Sequence, residues 1–82
     1  MKGKQVVVAP KPNIQTIGLS ELGQMVKHKR TSNGLKIKDA ADLLGVSVTT
    51  LIRIEKGEPS VSGGNLFKAL KGFGIELNIE AL

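Results

Sequence analysis

The residue types with the most specific chemistry occur together in one short run, from Ser47 to Lys56. Arg53 carries a guanidinium, which pairs bidentately with O6 and N7 of guanine and discriminates between bases by about 1–3 kcal/mol. Thr49 lies one helical turn before Arg53 and offers both a hydroxyl and a methyl group. Val48 offers an apolar contact that suits the methyl group of thymine. These three side chains are of the types that read base edges in the major groove of DNA.

A second group of polar and basic residues surrounds these three and suits the phosphate backbone. It consists of two hydroxyl residues and three lysines: Ser47, Thr50, Lys36, Lys38 and Lys56. Contacts of this kind position a protein on a duplex without reading its sequence. For Arg53 there is a structural alternative, an ion pair with Glu55 or with an acid on another helix.

Two short helical patterns meet at Gly45 and position these side chains. The first begins near Ile37, and the second runs from Val48 to Glu55. Their apolar residues recur at helical spacing: Ala40, Ala41, Leu44, Val46, Leu51 and Ile54. Gly45 accepts the left-handed backbone of a sharp turn, Ser47 is predicted to cap the second helix, and Gly57 is predicted to end it. The small alanines permit a close, steep crossing, so the pattern predicts a helix-turn-helix.

A helix is also predicted before this unit, from about Glu21 to Arg30, with Ser20 as its cap. Its last turn is basic. That turn either contacts phosphates or is a solvated face that suits the negative end of the helix dipole. His28, the only histidine of the chain, is predicted to be a surface residue.

A last helix is predicted from about Gly63 to Lys71, capped by Ser60 or Ser62. Its apolar face is predicted to consist of Leu66, Phe67 and Leu70, with Ala69 alongside. The patterns together indicate a mainly α domain over residues 14–74.

The two ends of the chain are predicted to be distinct from this domain. Residues 1–13 form either an arm or short strand that reaches DNA or a partner, or a frayed tail. Residues 75–82 alternate between apolar and polar positions, and three of them share one face of a predicted strand: Ile75, Leu77 and Ile79. Since a lone strand is not stable, it must pair with Gln5–Val8 or with the same strand of a second protomer. The second arrangement is favoured because it also builds a two-fold dimer.

Composition limits the classes of function. The chain has 82 residues, no cysteine, one histidine and a net charge of +5, with a pI near 9.8. A basic domain of this size suits a polyanionic partner such as double-stranded DNA. No nucleophile, metal-ligand or phosphate-loop motif occurs, so we predict no enzyme activity, no cofactor and no metal. No apolar run is long enough to span a membrane, and a cytoplasmic protein is expected.

The segment from Leu35 to Gly57, L-K-I-K-D-A-A-D-L-L-G-V-S-V-T-T-L-I-R-I-E-K-G, resembles the core of the Xre family, the Cro and phage-repressor type of helix-turn-helix. The resemblance covers about residues 20–74 and implies a bundle of four or five helices that binds an operator, usually as a dimer. The DNA-contacting positions of the family correspond to Val48, Thr49, Thr50, Arg53 and Lys56. The chain departs from the family at Lys36-Ile37, where Thr-Gln is common, and at Ile52, where a small polar residue is common.

The end of the chain, G-I-E-L-N-I-E, is similar to HipB-type antitoxins, whose terminal strands pair across the dimer. That resemblance implies a protein that represses its own operon and holds a kinase toxin. The leading hypothesis is a homodimeric, sequence-specific transcriptional regulator, a repressor of a palindromic operator. One alternative is an antitoxin with a protein toxin as its partner. The other is a protein-interaction module that has kept the fold without operator binding.

Overall fold

Four α-helices make up most of the part of the chain that the structure, a computed structural model, describes: residues 6–11 and 18–77. The helices are α1 (Leu19–Ser32), α2 (Ile37–Leu44), α3 (Val48–Lys56) and α4 (Gly63–Gly72). No strand occurs within these two described ranges. The predicted mainly α class with a helix-turn-helix is therefore confirmed.

The ends of α1 differ from the predicted limits. Its N-cap is Gly18, whose amide donates to the Glu21 carboxylate at 3.0 Å, so the prediction of Ser20 as the cap is wrong. The backbone amide of Gly18 has no partner within the helix, and the Glu21 side chain, three residues further on, reaches back to accept from it. The helix runs past its predicted end because Asn33 closes the last turn. The backbone amide and the side-chain amide of Asn33 both donate to the Lys29 carbonyl, at 3.1 and 2.9 Å.

The turn between α2 and α3 has the geometry predicted from its glycine. Gly45 is left-handed, with a φ of 74°, and its amide donates to the Asp42 carbonyl at 3.3 Å. Ser47 then caps α3, since its hydroxyl oxygen accepts from the Thr50 amide at 3.0 Å. A second left-handed glycine, Gly57, ends α3 as predicted. These local signals confirm the predicted position of α3 to within one residue at its end.

The core is built from small and branched aliphatic side chains. All four helices contribute to it: Leu22, Val26, Ala40, Ala41, Leu44, Leu51, Ile54, Ala69 and Leu70. On α4 the predicted apolar face is only partly correct, because Phe67 is 60% exposed. Leu66 and Leu70 are one turn apart and face inward, whereas Phe67 lies about 100° further round the helix than Leu66.

A glycine allows α1 and α3 to cross at close range. A Cβ atom on Gly23 would lie only 2.7 Å from the carbonyl oxygen of Glu55 and would also collide with that of Ile54. Gly23 is itself buried on α1, near the buried Val26. The absence of a side chain at this position therefore sets the separation of the two helices, which in turn positions α3.

The described part of the N-terminal segment, residues 6–11, is attached to α1 by two hydrogen bonds at Ala9. The Ala9 amide donates to Oγ1 of the buried Thr31 at 2.8 Å, and the Ala9 carbonyl lies 2.8 Å from Nδ1 of His28. The prediction that His28 is a surface residue is therefore wrong, since the ring is half-buried and bonded to backbone.

After α4 the chain turns back over the core at Gly74. The Ile75 amide donates to the Leu70 carbonyl at 2.8 Å, and the Ile75 side chain packs against the core. Leu77 is 40% exposed. The rest of the predicted strand, including Ile79, lies outside the described residues, as does Gln5 of its alternative partner strand.

Candidate nucleic-acid interface

The outward side of α3 carries the residues predicted to read base edges. Its exposed positions recur at helical spacing, and we call them the α3 face: Val48, Thr49, Ile52, Arg53 and Lys56. On the opposite side of the helix, Leu51 and Ile54 are buried in the core and fix the rotation of α3. The structure therefore brings Val48, Thr49 and Arg53 together on one solvent-facing surface.

Among the residues that the structure describes, Arg53 makes only a long surface ion pair. Its side chain is 54% exposed, and its Nε lies 4.0 Å from Oε1 of Glu58, which is beyond hydrogen-bond distance. Exposed pairs contribute about 0–1 kcal/mol. The alternative pairing with Glu55 is wrong, because that carboxylate is bound by Arg30. The guanidinium of Arg53 thus keeps most of its donors for a ligand.

The two hydroxyl residues predicted to contact phosphate are bonded to each other at the start of α3. The Oγ of Ser47 and the Oγ1 of Thr50 are 2.9 Å apart, and the Ser47 oxygen also caps the helix. The Ser47 hydroxyl is the donor in this bond. The hydroxyl hydrogen of Thr50 can therefore be donated to a phosphate oxygen. The cap also holds both side chains in place at the N-terminal end of the α3 face.

The lysines predicted to contact phosphates differ in their surroundings. Lys36 is the N-cap residue of α2, and its side chain is exposed. Lys38 lies in the first turn of α2, where its Nζ is 3.0 Å from the Asp42 carboxylate in an exposed pair. Lys56 is exposed in the last turn of α3. Asp42 partly neutralises Lys38, so Lys36 and Lys56 are the better candidates for phosphate contacts.

Ile52 also belongs to the α3 face and was not a predicted site residue. It is 37% exposed and lies one helical turn after Val48, on the same side of the helix. Its spacing from Val48 was the available signal, because residues four apart share a helix face. Ile52 was predicted neither as a core residue nor as a site residue, although the Xre family commonly has a small polar residue at this position.

A second surface lies beside α4. An apolar groove, here called the α4 groove, is lined mainly by Phe67, Leu70, Gly74, Ile75 and Leu77. Two of the predicted dimerisation residues, Ile75 and Leu77, are thus in its wall. Exposed apolar surface of this kind is typical of contacts with another protein.

The described residues include neither a cluster of metal ligands nor a helix that could span a membrane. Within residues 6–11 and 18–77, no group of three or more histidine or acidic side chains is arranged to hold a metal ion. None of the four described helices is both long enough and apolar enough to cross a membrane.

Comparison with known proteins gives one family and several related structures. The profile of the Helix-turn-helix family, HTH_3, matches residues 26–79. No curated protein matches the chain. The restriction-modification controller protein C.AhdI from Aeromonas hydrophila is 31% identical, with a TM-score of 0.59 over 71% of this chain and 88% of that chain.

Two structures that contain HipB are similar in fold. Chains in the HipA-HipB-O2-O3 complex and in the HipB-O4 20mer complex are each 18% identical to this one, with TM-scores of 0.70 and 0.69. Both alignments cover 83% of this chain and 96% of the other chain. The similarity therefore extends over nearly the full length of those chains.

Proposed function

Because the chain belongs to the helix-turn-helix family, as its resemblance to the Xre type predicted, we propose that it is a sequence-specific DNA-binding transcriptional regulator. In this proposal it is a cytoplasmic repressor that binds a palindromic operator as a homodimer. α3 enters the major groove, as the second helix of a helix-turn-helix does, and base edges are contacted by Val48 and Thr49 and, one turn further along, by Arg53.

The observation that carries this proposal is the available guanidinium of Arg53 on the α3 face. Arginine is the commonest side chain to contact guanine specifically. It uses two parallel donors for this contact, and these donors must not already be bound to another group of the protein. Val48 and Thr49 precede Arg53 by about one turn on the same exposed surface. The net charge of +5 adds sequence-independent attraction to the duplex.

The phosphate contacts are assigned to the residues that flank the α3 face. They are Ser47 and Thr50 through their hydroxyls, and Lys36, Lys38 and Lys56 through their ammonium groups. The Ser47–Thr50 hydrogen bond supports this assignment because it fixes both hydroxyls before DNA arrives. Preorganised donors lose less conformational entropy on binding. The similarity to C.AhdI, a restriction-modification controller protein, also favours a regulatory role for this chain.

A homodimer is proposed because a palindromic operator presents two half-sites related by two-fold symmetry. The α4 groove supports this part of the proposal. Its lining includes the exposed apolar residues Phe67 and Leu77, which a second protomer would cover. The segment of residues 75–82 is proposed to complete the interface, with Ile75, Leu77 and Ile79 on its apolar side. The described residues Ile75 and Leu77 already line the groove from which that segment leaves.

The second candidate function is that of an antitoxin that binds and neutralises a protein toxin and represses its own operon. The observation that favours it is the similarity in fold to HipB, which is bound to HipA in one of the related structures. A toxin gene beside the gene for this chain would support it. Co-purification of this chain with the product of that neighbouring gene is the direct test.

The experiment that tests the proposed function is selection of bound DNA from a random duplex pool at two salt concentrations. Enrichment of a palindrome with half-sites about one helical turn apart is the expected result. Weak binding that is lost steeply with salt, without any enriched sequence, contradicts the proposal and favours a protein-interaction module.

Variants of the chain then test the assignment of Arg53. Arg53→Ala is expected to weaken binding to the selected operator by about tenfold to a hundredfold and to relax the choice of base at one position. Lys68→Ala on α4 removes the same charge from another exposed position and serves as the matched control. Equal losses for the two variants would mean that Arg53 contributes charge alone.

A further inference from the structure

Two β-branched apolar side chains are exposed along the α3 face. Val48 is 36% exposed and Ile52 is 37% exposed, whereas Leu51 and Ile54 of the same helix are almost fully buried. Val48 and Ile52 are four residues apart, so their side chains lie one above the other on a single stripe. We call this pair the apolar stripe.

The apolar stripe is not part of the packed core. The hydrophobic core residues of the four helices are at most 8% exposed, whereas Val48 and Ile52 each keep more than a third of their surface open to solvent. A helix whose inward side already fills the core gains no stability from isoleucine at an outward position. The stripe is therefore surface that a ligand can cover.

We propose that Ile52 is a specificity-determining residue, which together with Val48 reads the methyl groups of thymine in each half-site of the operator. This inference rests on the proposed function, because it identifies the bases that the α3 face contacts. The thymine methyl is the one apolar group that a base pair presents in the major groove, and apolar side chains recognise it by contact. Removing it from water against Ile52 gives a favourable hydrophobic contribution.

Charge on the same face favours DNA over an apolar protein surface as the partner. Arg53 follows Ile52 directly, and Lys56 lies one turn further along the same stripe. The only acid within α3 is Glu55, which is bound by Arg30 and points away from this face. A duplex offers methyl groups next to phosphates, and this matches an apolar stripe bordered by cations.

The spacing of the stripe predicts the spacing of the thymines. Residues four apart in a helix are separated by about 6 Å along its axis. Base pairs are separated by about 3.4 Å along the duplex. Because α3 cannot project more than this separation of about 6 Å onto the duplex axis, the two contacted thymines are expected at most about two base pairs apart.

The test uses the operator selected from the random pool and the full chain. Each thymine is replaced in turn by deoxyuridine, which removes the methyl group and leaves base pairing unchanged. At the thymine read by Ile52, the wild-type chain is expected to bind about fourfold more weakly per half-site. Ile52→Ala is expected to weaken binding to the unmodified operator by a similar factor and to show no further loss on the deoxyuridine operator.

Leu43→Ala serves as the matched control, since Leu43 is an exposed leucine on α2. It is expected to respond to each deoxyuridine as the wild-type chain does. If Ile52→Ala also keeps the full response to every deoxyuridine, the inference is overturned while the proposed function stands. The inference is likewise overturned if no thymine methyl affects wild-type binding. A pool that yields no enriched sequence overturns the proposed function and this inference together.

Discussion

Arg30 and Glu55 form a two-point ion pair that joins α1 to α3. The Nε and Nη2 atoms of Arg30 donate to Oε2 and Oε1 of Glu55 at 2.6 and 3.1 Å, and the two side chains are only 11% and 8% exposed. A third donor, Nη1, reaches the Leu35 carbonyl at 2.9 Å, in the connection before α2. One guanidinium thus fixes the position of α3 relative to both preceding elements, and the orientation of the α3 face depends on it.

We expect Glu55→Ala to lower the free energy of unfolding by about 3–5 kcal/mol, because it leaves the Arg30 guanidinium buried without a counter-ion. Chemical denaturation measures this. Asp42→Ala, which breaks the exposed pair with Lys38, is the control and should change stability by no more than about 1 kcal/mol. Replacing both partners, as in Arg30→Met with Glu55→Leu, should recover most of the loss. Equal effects of Glu55→Ala and Asp42→Ala would contradict a structural role for the buried pair.

We expect Gly23→Ala to destabilise the protein, although alanine is favoured over glycine in a helix by about 1 kcal/mol. The added Cβ meets the backbone carbonyls of Ile54 and Glu55, which cannot move without shifting α3. The expected net loss is roughly 1–3 kcal/mol in thermal or chemical unfolding. Gly64→Ala in α4 is the matched control, since a Cβ there meets open space, and it should be neutral or stabilising. A Gly23→Ala variant as stable as Gly64→Ala would mean that the two helices separate without cost.

The helix ends of α3, compared with the contacts between α1 and α3, show what the sequence could and could not predict. Gly45, Ser47 and Gly57 act within their own turn, so residue type and spacing were sufficient to place α3 and its exposed face. The pairing of Arg30 with Glu55 and the close approach at Gly23 depend on how α1 crosses α3, which no local pattern contains. Phe67 was misplaced for a related reason: its residue type favours burial, but the inward side of α4 is decided by the helices that it packs against.

We expect Thr31→Val to release the N-terminal segment from α1. Oγ1 of Thr31 accepts from the Ala9 amide and donates to the Lys27 carbonyl, both at 2.8 Å, in a buried position. Valine keeps the shape and removes both bonds, each of which is expected to contribute about 0.5–1.5 kcal/mol to the free energy of unfolding. Faster hydrogen exchange at the Ala9 amide measures the release. Thr31→Ser keeps the hydroxyl and should protect that amide as the wild type does; unchanged exchange in the valine variant would contradict the anchoring role.

The salt dependence of operator binding should report the phosphate contacts separately from base reading. Each lysine that neutralises a phosphate contributes about 0.9 to the slope of log K against log salt. Lys36→Gln should therefore reduce the slope of a homodimer by about two and weaken binding to all sequences alike. Lys38→Gln should have a smaller effect because Asp42 already pairs with that lysine. Titration of the selected operator over a range of salt, with Lys68→Gln as the control, measures both slopes. An unchanged slope for Lys36→Gln would remove that lysine from the interface.

Dimerisation should depend on the α4 groove and on the segment that leaves it. Phe67→Glu places a charge on apolar surface that the proposed dimer buries, so we expect a monomer, or a dimer at least tenfold weaker, in light scattering or sedimentation. Deletion of residues 75–82 should likewise yield a monomer.

The control for Phe67→Glu is Leu43→Glu, which changes an exposed leucine on α2, outside the groove, and should leave the dimer intact. Because Phe67 is exposed, its replacement is not expected to unfold the chain, and the thermal unfolding of both variants verifies this. A dimer that survives both Phe67→Glu and the deletion would place the two-fold interface on another surface, with each α3 face then set at a different distance from its partner along the operator.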